Sequence, residues 1–401
     1  MARSRLKAGP TAPPILFIAG TRPEAVKLAP LILDLHARGA PALLVATGQH
    51  RDLFGAALAG FGLAPDHDLA VMAATPEAGI GLMVPRLADL IRQLRPARVV
   101  VQGDTSSTLA GALAARYADA ALAHVEAGLR TGSHDPHPEE MHRRLVAQLA
   151  GLHFAPTRAA AAALAAEGVH DGVHITGNSG IDALLLMQAR LAHDPALARA
   201  AAAPLAAIPR ARPWLLATLH RRENQGEALP GILDALAALA ATAEVILPVH
   251  PSPAIMGPVA ARLGAVPGVH LLPPLPYASF VALMLRSAVV LTDSGGVQEE
   301  APAIGLPCLV LRAHTERTEG VDSGNAVLVG SDPAAIIASA RRLLADDELR
   351  AAMARPALPY GSGCAARAIN DRLLAADPPP APPSSAGNSE SWWRSAAHHQ
   401  R

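Results

Sequence analysis

Short apolar runs separated by Ala/Leu-rich helical stretches recur along almost the whole chain, and this alternation constrains the fold more than any other feature. Candidate strands in the first half are Ile15–Ala19, Ala42–Thr47, Arg98–Gln102, Ala121–Glu126 and His153–Ala155. In the second half they are Trp214–Thr218, Glu244–Val249, Val269–Leu272, Ala288–Leu291 and Cys308–Leu311. Helical stretches lie between them, for example Ala25–Ala37, Leu82–Leu94, Thr108–Tyr117 and Leu229–Ala241. Strands that are apolar at consecutive positions are buried on both faces, as in parallel sheets covered by helices. The βαβα order predicts an α/β protein whose ligands sit beyond the carboxyl ends of the strands.

A chain of 401 residues is long enough for two such domains, each with its own core. The passage between them is predicted near Gly177-Asn178, giving a first domain over 15–178 and a second over 179–360. A terminal helix over 361–376 is expected to pack back on the first domain. Residues 1–14 are expected to be flexible. From Asp377 the composition turns to Pro, Ala, Ser and Gly, so 377–401 is expected to be disordered, with Trp392 and Trp393 at most weakly docked.

Lys plus Arg and Asp plus Glu each total 34, so no basic field favours nucleic acid. The cysteines, Cys308 and Cys364, have no metal spacing and fit a reducing compartment. No apolar run reaches the length of a membrane span. Arg3, Arg5 and Lys7 resemble the start of a signal peptide, but the apolar run after them is too short and leads straight into Gly20-Thr21-Arg22.

The strand ends carry the chemistry. After Ile15–Ala19, Thr21 and Glu24 fit a capping box and Pro23 suits a first helical turn, while Arg22 and Lys27 bring two cations to the helix start. Free N–H groups plus cations at such a point make an anion site, most often for phosphate. A second helix start, Asp293-Ser294-Gly295-Gly296, follows Ala288–Leu291; its glycines let an anion approach, and Glu299 and Glu300, one turn on, suit ribose hydroxyls better than phosphate. Neither is a Walker loop nor G-x-G-x-x-G. Two phosphate-type sites in two halves suggest a ligand held between domains.

Asp104 and Glu126 end successive strands, and Glu139 follows in a segment that its prolines mark as a loop. Asp104 alone would be read as a helix cap; the three together favour acid/base chemistry or metal binding over structure. His134, His137 and His142 have no recognised metal-ligand spacing. His220, with Arg221 and Arg222 after Trp214–Thr218, is a candidate contact for a pyrophosphate or sugar.

These segments, with Gly48-Gln49-His50-Arg51, His124-Val125-Glu126-Ala127-Gly128-Leu129-Arg130, Pro138-Glu139-Glu140 and Thr315-Glu316-Arg317, occur in order and resemble the non-hydrolysing UDP-N-acetylglucosamine 2-epimerases over roughly residues 15 to 370. The resemblance implies a GT-B arrangement of two Rossmann-like domains, a cytoplasmic homodimer, and no metal or redox cofactor. It implies interconversion of UDP-GlcNAc and UDP-ManNAc through elimination of UDP. By that resemblance Glu126 is the base at C2, Asp104 and Glu139 its proton-transfer partners, and His220 a catalytic, phosphate-contacting group. Arg22, Lys27, Ser294, Gly295, Gly296 and Arg317 would hold the diphosphate, Glu300 the ribose, and Phe280 the uracil. Relatives act on UDP-diacetamido-uronates or hydrolyse the sugar nucleotide. A GT-B glycosyltransferase and a sugar-nucleotide sensor are the rival classes; neither needs three acids at strand ends.

The chain departs from the family pattern at His142, where Asn is usual, and at Thr318, where Pro is usual. Asp52 stands where Gln is common, and Ala73-Ala74-Thr75-Pro76 lacks a familiar Arg. That region belongs to a second, activating UDP-GlcNAc site in bacterial members, so simple saturation is expected here.

Overall fold

The structure, a computed structural model, describes residues 12–48, 51–133, 136–315 and 317–375. Gln49, His50, His134, Asp135, Glu316 and the tail with Trp392 and Trp393 lie outside these, as does most of the N-terminal segment; so do the side chains of Arg51, Asp52 and Arg222.

In the first half, β1 (Ile15–Ala19), α1 (Arg22–Ala37), β2 (Ala42–Ala46), α2 (Arg51–Gly60) and β3 (His67–Asp68) come first. They are followed by α3 (Pro76–Leu94), β4 (Arg98–Gln102), α4 (Ser106–Tyr117) and β5 (Leu122–Val125). Then come α5 (Glu139–Leu149), β6 (Leu152–Ala155), α6 (Arg158–Ala166) and β7 (Val173–Ile175). The seven strands form one parallel sheet in the order β3-β2-β1-β4-β5-β6-β7.

After α7 (Ser179–His193) and α8 (Pro195–Ala202), the pattern restarts with β8 (Trp214–Thr218), α9 (Ala228–Leu239), β9 (Glu244–Pro248) and α10 (Pro253–Leu263). It continues through β10 (Val269–Leu272), α11 (Tyr277–Met284), β11 (Val289–Thr292), α12 (Gly295–Ala303) and β12 (Cys308–Val310). The chain closes with α13 (Thr318–Asp322), β13 (Ala326–Leu328), α14 (Pro333–Ala345), α15 (Asp347–Met353) and α16 (Ala365–Ala375). The second sheet is also parallel, ordered β10-β9-β8-β11-β12-β13.

Both sheets start in the middle and reverse direction once, between β1 and β4 and between β8 and β11. These are the switch points where an open α/β sheet leaves a crevice for ligand. All five residues of β1 are buried: Phe17 faces a layer with Leu28, Leu35 and Phe154, and Leu16 and Ile18 face another with Leu87 and Val99. Two-sided burial explains the unbroken apolar run. One apolar cluster is continuous across the two halves, joining Phe17 and Leu31 to Leu184, Leu216, Phe280 and Val290.

Strand ends agree with the sequence reading to within a residue or two, but β3 and β7 carry no unbroken apolar run and β13, though apolar, is only three residues long. Each is an edge or near-edge strand of two or three residues, mostly half-buried or exposed, so packing does not demand an apolar run. Helix α16 lies against α1: Asn370 Nδ2 donates to Leu31 O at 2.9 Å, and Arg38 pairs with Asp371 at 2.5 Å. The N–H groups of Ala365 and Ala366 donate to Asp182 on α7.

Candidate active site

The first switch point is built on Glu24. Its Oε2 accepts from the N–H groups of Gly20 (3.0 Å) and Thr21 (2.7 Å), and its Oε1 from the hydroxyls of Thr105 (2.8 Å) and Thr108 (3.2 Å). One buried carboxylate thus sets the starts of both α1 and α4. A Cβ at Gly20 would lie 2.2 Å from both Ser107 Oγ and Thr47 Oγ1, so only glycine fits this turn. Arg22 reaches the second domain, its Nη1 donating to Leu275 O at 3.0 Å, while Lys27 stays within the first, its Nζ meeting Glu126 Oε1 at 2.5 Å.

Glu126 follows β5 with φ +66°, a left-handed backbone that a non-glycine residue adopts at a cost of order 1–3 kcal/mol. The turn holds because Ala127 N donates to Phe154 O at 3.0 Å, and because Gly128 beyond it packs on Ala160, whose carbonyl a Cβ would meet at 2.2 Å. The buried carboxylate also accepts from Gln102 Nε2 and, at 3.3 Å, from Asn178 Nδ2. Burial alone would raise its pKa; contact with Lys27, with Arg317 and Arg143 beyond, outweighs burial and holds it below the usual range. Glu126 is therefore ionised and aimed by three donors.

Asp104 does not cap α4: Thr105 takes that place, its hydroxyl accepting from Thr108 N at 3.2 Å. Freed from capping, Asp104 pairs with Arg143 of α5 at 2.5 Å, and Arg143 reaches Glu140 at 3.0 Å. Two imidazoles hold the adjacent carbonyls, His124 Nε2 on Gly103 O (2.7 Å) and His142 Nδ1 on Asp104 O (2.8 Å). Because a carbonyl only accepts, each ring nitrogen carries the proton there. Burial lowers His124 to about 4, which keeps it neutral. Glu139 does not lie in a loop as its prolines suggested: with Pro138 as N-cap it opens α5 one turn before Arg143, and its Oε2 is buried with no partner among the described residues.

In the second domain Asp293, fully buried after β11, organises the β8 loop. It accepts from the backbone N–H of His220 (3.1 Å) and of Arg221 (3.0 Å), from Asn224 Nδ2 (3.2 Å) and from His220 Nδ1 (3.0 Å). Burial would raise the Asp293 pKa, but the His220 hydrogen bond and charge lower it overall. Ser294 is the N-cap residue of α12 without a side-chain cap bond. Arg317 stacks over the start of α12: a Cβ at Gly295 would lie 2.4 Å from Arg317 Cζ, whereas one at Gly296 would meet nothing nearer than Ser294 Oγ at 4.0 Å.

Arg317 Nε donates to Glu299 Oε1 at 2.9 Å, and Asn178 Nδ2 donates to Glu299 Oε2 at 2.8 Å. Burial raises Glu299 despite Arg317 and Lys27, and the charge of Glu126 adds to the rise. The array Lys27, Glu126, Asn178, Glu299, Arg317 thus runs unbroken from one domain to the other. Glu300 accepts from Tyr277 OH at 2.9 Å, and burial pushes it up to about 7. Phe280 is buried on the same helix as Tyr277, in the apolar layer between the sheets.

Of the residues singled out in sequence, Asp104, Glu126 and Arg317 fall within one charge network, while His220 lies with Asp293 outside it. Arg143, Gln102 and Asn178 carry no such signal; a helix-interior arginine and two amides announce nothing in sequence. Among the described residues, no group of His, Cys, Asp and Glu is placed to hold a metal ion, and no helix is long and apolar enough to cross a membrane.

The family profile described as UDP-N-acetylglucosamine 2-epimerase matches residues 34–374. The UDP-N-acetylglucosamine 2-epimerase of Escherichia coli (strain K12) is 40% identical over 372 residues, covering 90% of this chain and 98% of that protein. That of Bacillus subtilis (strain 168) is 39% identical over 371 residues, covering 90% and 94%. The crystal structure of UDP-GlcNAc 2-epimerase from Neisseria meningitidis bound to UDP-GlcNAc superposes with a TM-score of 0.85 at 38% identity, over 90% of this chain and 99% of that one. The two Rossmann-like sheets facing one another are the GT-B arrangement. With this fold, these strand-end motifs and matches of such length, the chain belongs to the UDP-N-acetylglucosamine 2-epimerase family.

Proposed function

We propose that this protein is a non-hydrolysing epimerase that interconverts UDP-GlcNAc and UDP-ManNAc. The observation that carries this reading is Glu126, an ionised carboxylate in a left-handed turn, held by Lys27 and joined through Asn178 to the second domain. The hydrogen on C2 is not next to a carbonyl, so a carboxylate removes it only as positive charge develops at C1. Breaking the C1–O bond supplies that charge. UDP takes the bonding pair, Glu126 takes the proton, and the C2–H pair becomes the C1=C2 double bond of 2-acetamidoglucal. Return of the UDP oxygen to C1, with protonation of C2 on the other face, gives the epimer.

Asp104 and Glu139 serve proton transfer on the sugar. The unpartnered Glu139 Oε2 is the donor or acceptor still open for substrate. His220, Arg22, Arg317 and the α12 start at Ser294, Gly295 and Gly296 stabilise the departing diphosphate. Lys27 acts on Glu126 rather than on phosphate. Glu300 receives the ribose and Phe280 the uracil. The reaction needs no metal or redox cofactor, since the net change is one proton moved between faces.

A second copy of the chain is the partner proposed for the exposed apolar residues Leu82, Tyr117, Met141 and Leu145, which lie on the adjoining helices α3, α4 and α5. The compartment proposed is the cytoplasm.

Positional isotope exchange tests the elimination step. UDP-GlcNAc labelled with oxygen-18 in the C1–O–P bridge should scramble label into the non-bridging β-phosphate positions. Epimerisation without scrambling contradicts it, and steady release of free ManNAc moves the chain to the hydrolysing branch.

A further inference from the structure

Asn178 stands where the chain passes from β7 to α7, almost fully buried. Its Oδ1 accepts from Gly180 N at 2.8 Å and so caps α7. That bond settles which end of the amide is which, because only the oxygen can accept. The Nδ2 group is thereby turned onto two carboxylates from different domains, Glu126 Oε1 at 3.3 Å and Glu299 Oε2 at 2.8 Å.

The backbone around Asn178 is a crossing point. Its own N–H donates to Tyr360 O at 2.6 Å, on the segment that returns from the second domain to α16. A Cβ on Gly177 would lie 3.0 Å from Gly361 Cα, and one on Gly361 would lie 3.1 Å from Gly177 Cα. The two passages between the domains therefore pack backbone on backbone beside Asn178.

A helix cap alone does not require this residue. Aspartate caps as well as asparagine, yet here it would set a third carboxylate against Glu126 and Glu299. Resting on the epimerase reading, we propose that Asn178 is a positioning residue for the reaction, its amide joining Glu126 to Glu299 so that the base is aimed when the two domains are closed on each other. The groups that face Glu126 are Lys27 from α1, Gln102 from β4, His124 from β5, Arg143 from α5, and Arg317 and Glu299 from the second domain. The Asn178 amide is an uncharged donor to the ionised form, and its loss raises the pH at which Glu126 takes up a proton.

The test compares full-length wild type with Asn178→Ala and Asn178→Asp in UDP-GlcNAc conversion, UDP binding, thermal melting and small-angle scattering. Asn178→Asp keeps the cap but sets a buried third carboxylate beside Glu126 and Glu299, so it should melt below wild type. Both variants should bind UDP with little change, and kcat should fall about 10- to 100-fold through misplacement of the base. The acid limb of kcat/KM should move to higher pH, and Asn178→Asp should show a larger radius of gyration than wild type. An Asn178→Asp variant with wild-type kcat, acid limb and radius of gyration would make Asn178 a helix cap and nothing more. If wild type itself converts no UDP-GlcNAc, the epimerase reading fails; the scattering comparison still decides the clasp, because equal radii overturn it.

Discussion

His220 and Asp293 form a buried-to-exposed relay: the fully buried carboxylate of Asp293 holds His220 Nδ1 at 3.0 Å while the ring remains partly open to solvent. The same carboxylate takes the backbone N–H groups of His220 and Arg221, so loop and ring are set together. The tautomer with hydrogen on Nδ1 leaves Nε2 for the ligand. Asp293→Asn should lower kcat by about 10²-fold or more. Nitrogen-15 NMR of the imidazole should show loss of the single Nδ1–H tautomer. An unaltered tautomer with full activity would mean that Asp293 only braces the loop.

Asp104→Asn, Glu126→Gln and Glu139→Gln should each reduce kcat by about 10²-fold or more, with UDP affinity little changed. Glu139→Gln separates roles most clearly. Full activity with a lowered melting temperature would make Glu139 structural.

The tandem glycines at α12 should not be equivalent. Gly295→Ala forces Arg317 off the helix start and away from Glu299, because the new Cβ would lie 2.4 Å from Arg317 Cζ. Gly296→Ala meets only Ser294 Oγ at 4.0 Å. By calorimetry, UDP affinity should fall about tenfold in Gly295→Ala, as expected for a lost charged contact, and much less in Gly296→Ala. Equal losses would show that the anion uses the Gly296 side.

Glu300 gives the pH dependence a definite sign. Burial raises its folded pKa from 4.5 to about 7, so the native state holds the proton more tightly than the unfolded chain. Its contribution is intact below the unfolded pKa and is lost as pH rises through the folded value. Glu300→Gln stays neutral. It should melt like wild type near about pH 5 and gain on wild type towards about pH 8. A difference that is flat with pH would place the Glu300 titration elsewhere.

The fold was largely legible because two-sided burial of central strands demands apolar runs, as at Ile15–Ala19 and Trp214–Thr218. The edge strand Val173–Ile175 escapes that demand, with His174 between its apolar residues, and Ala326–Leu328 is an apolar run too short to stand out. In the site, strand-end acids were legible because a carboxylate after an apolar run is costly without a purpose. What periodicity hides is long-range pairing. Nothing near Asp104 announces Arg143, and nothing near Lys27 announces that its ammonium lies on Glu126 instead of awaiting phosphate. In sequence Asn178 marks only the passage between domains, and the approach of Glu126 and Glu299 is what reveals its two bonds.

Removal of the tail beyond Ala376 should leave melting temperature and conversion rate unchanged, since the last described helix is already tied to α1 through Asn370 and Asp371. A large loss of activity on truncation would show that Trp392 and Trp393 dock.

The most direct test of the central claim is to incubate the protein with UDP-GlcNAc in D2O, without added metal or nicotinamide, and to follow C1 and C2 by NMR. The account predicts UDP-ManNAc carrying deuterium at C2, and slow deuterium entry at C2 of the recovered UDP-GlcNAc. Epimer that keeps its original hydrogen, or a nucleotide sugar that stays inert, would contradict it.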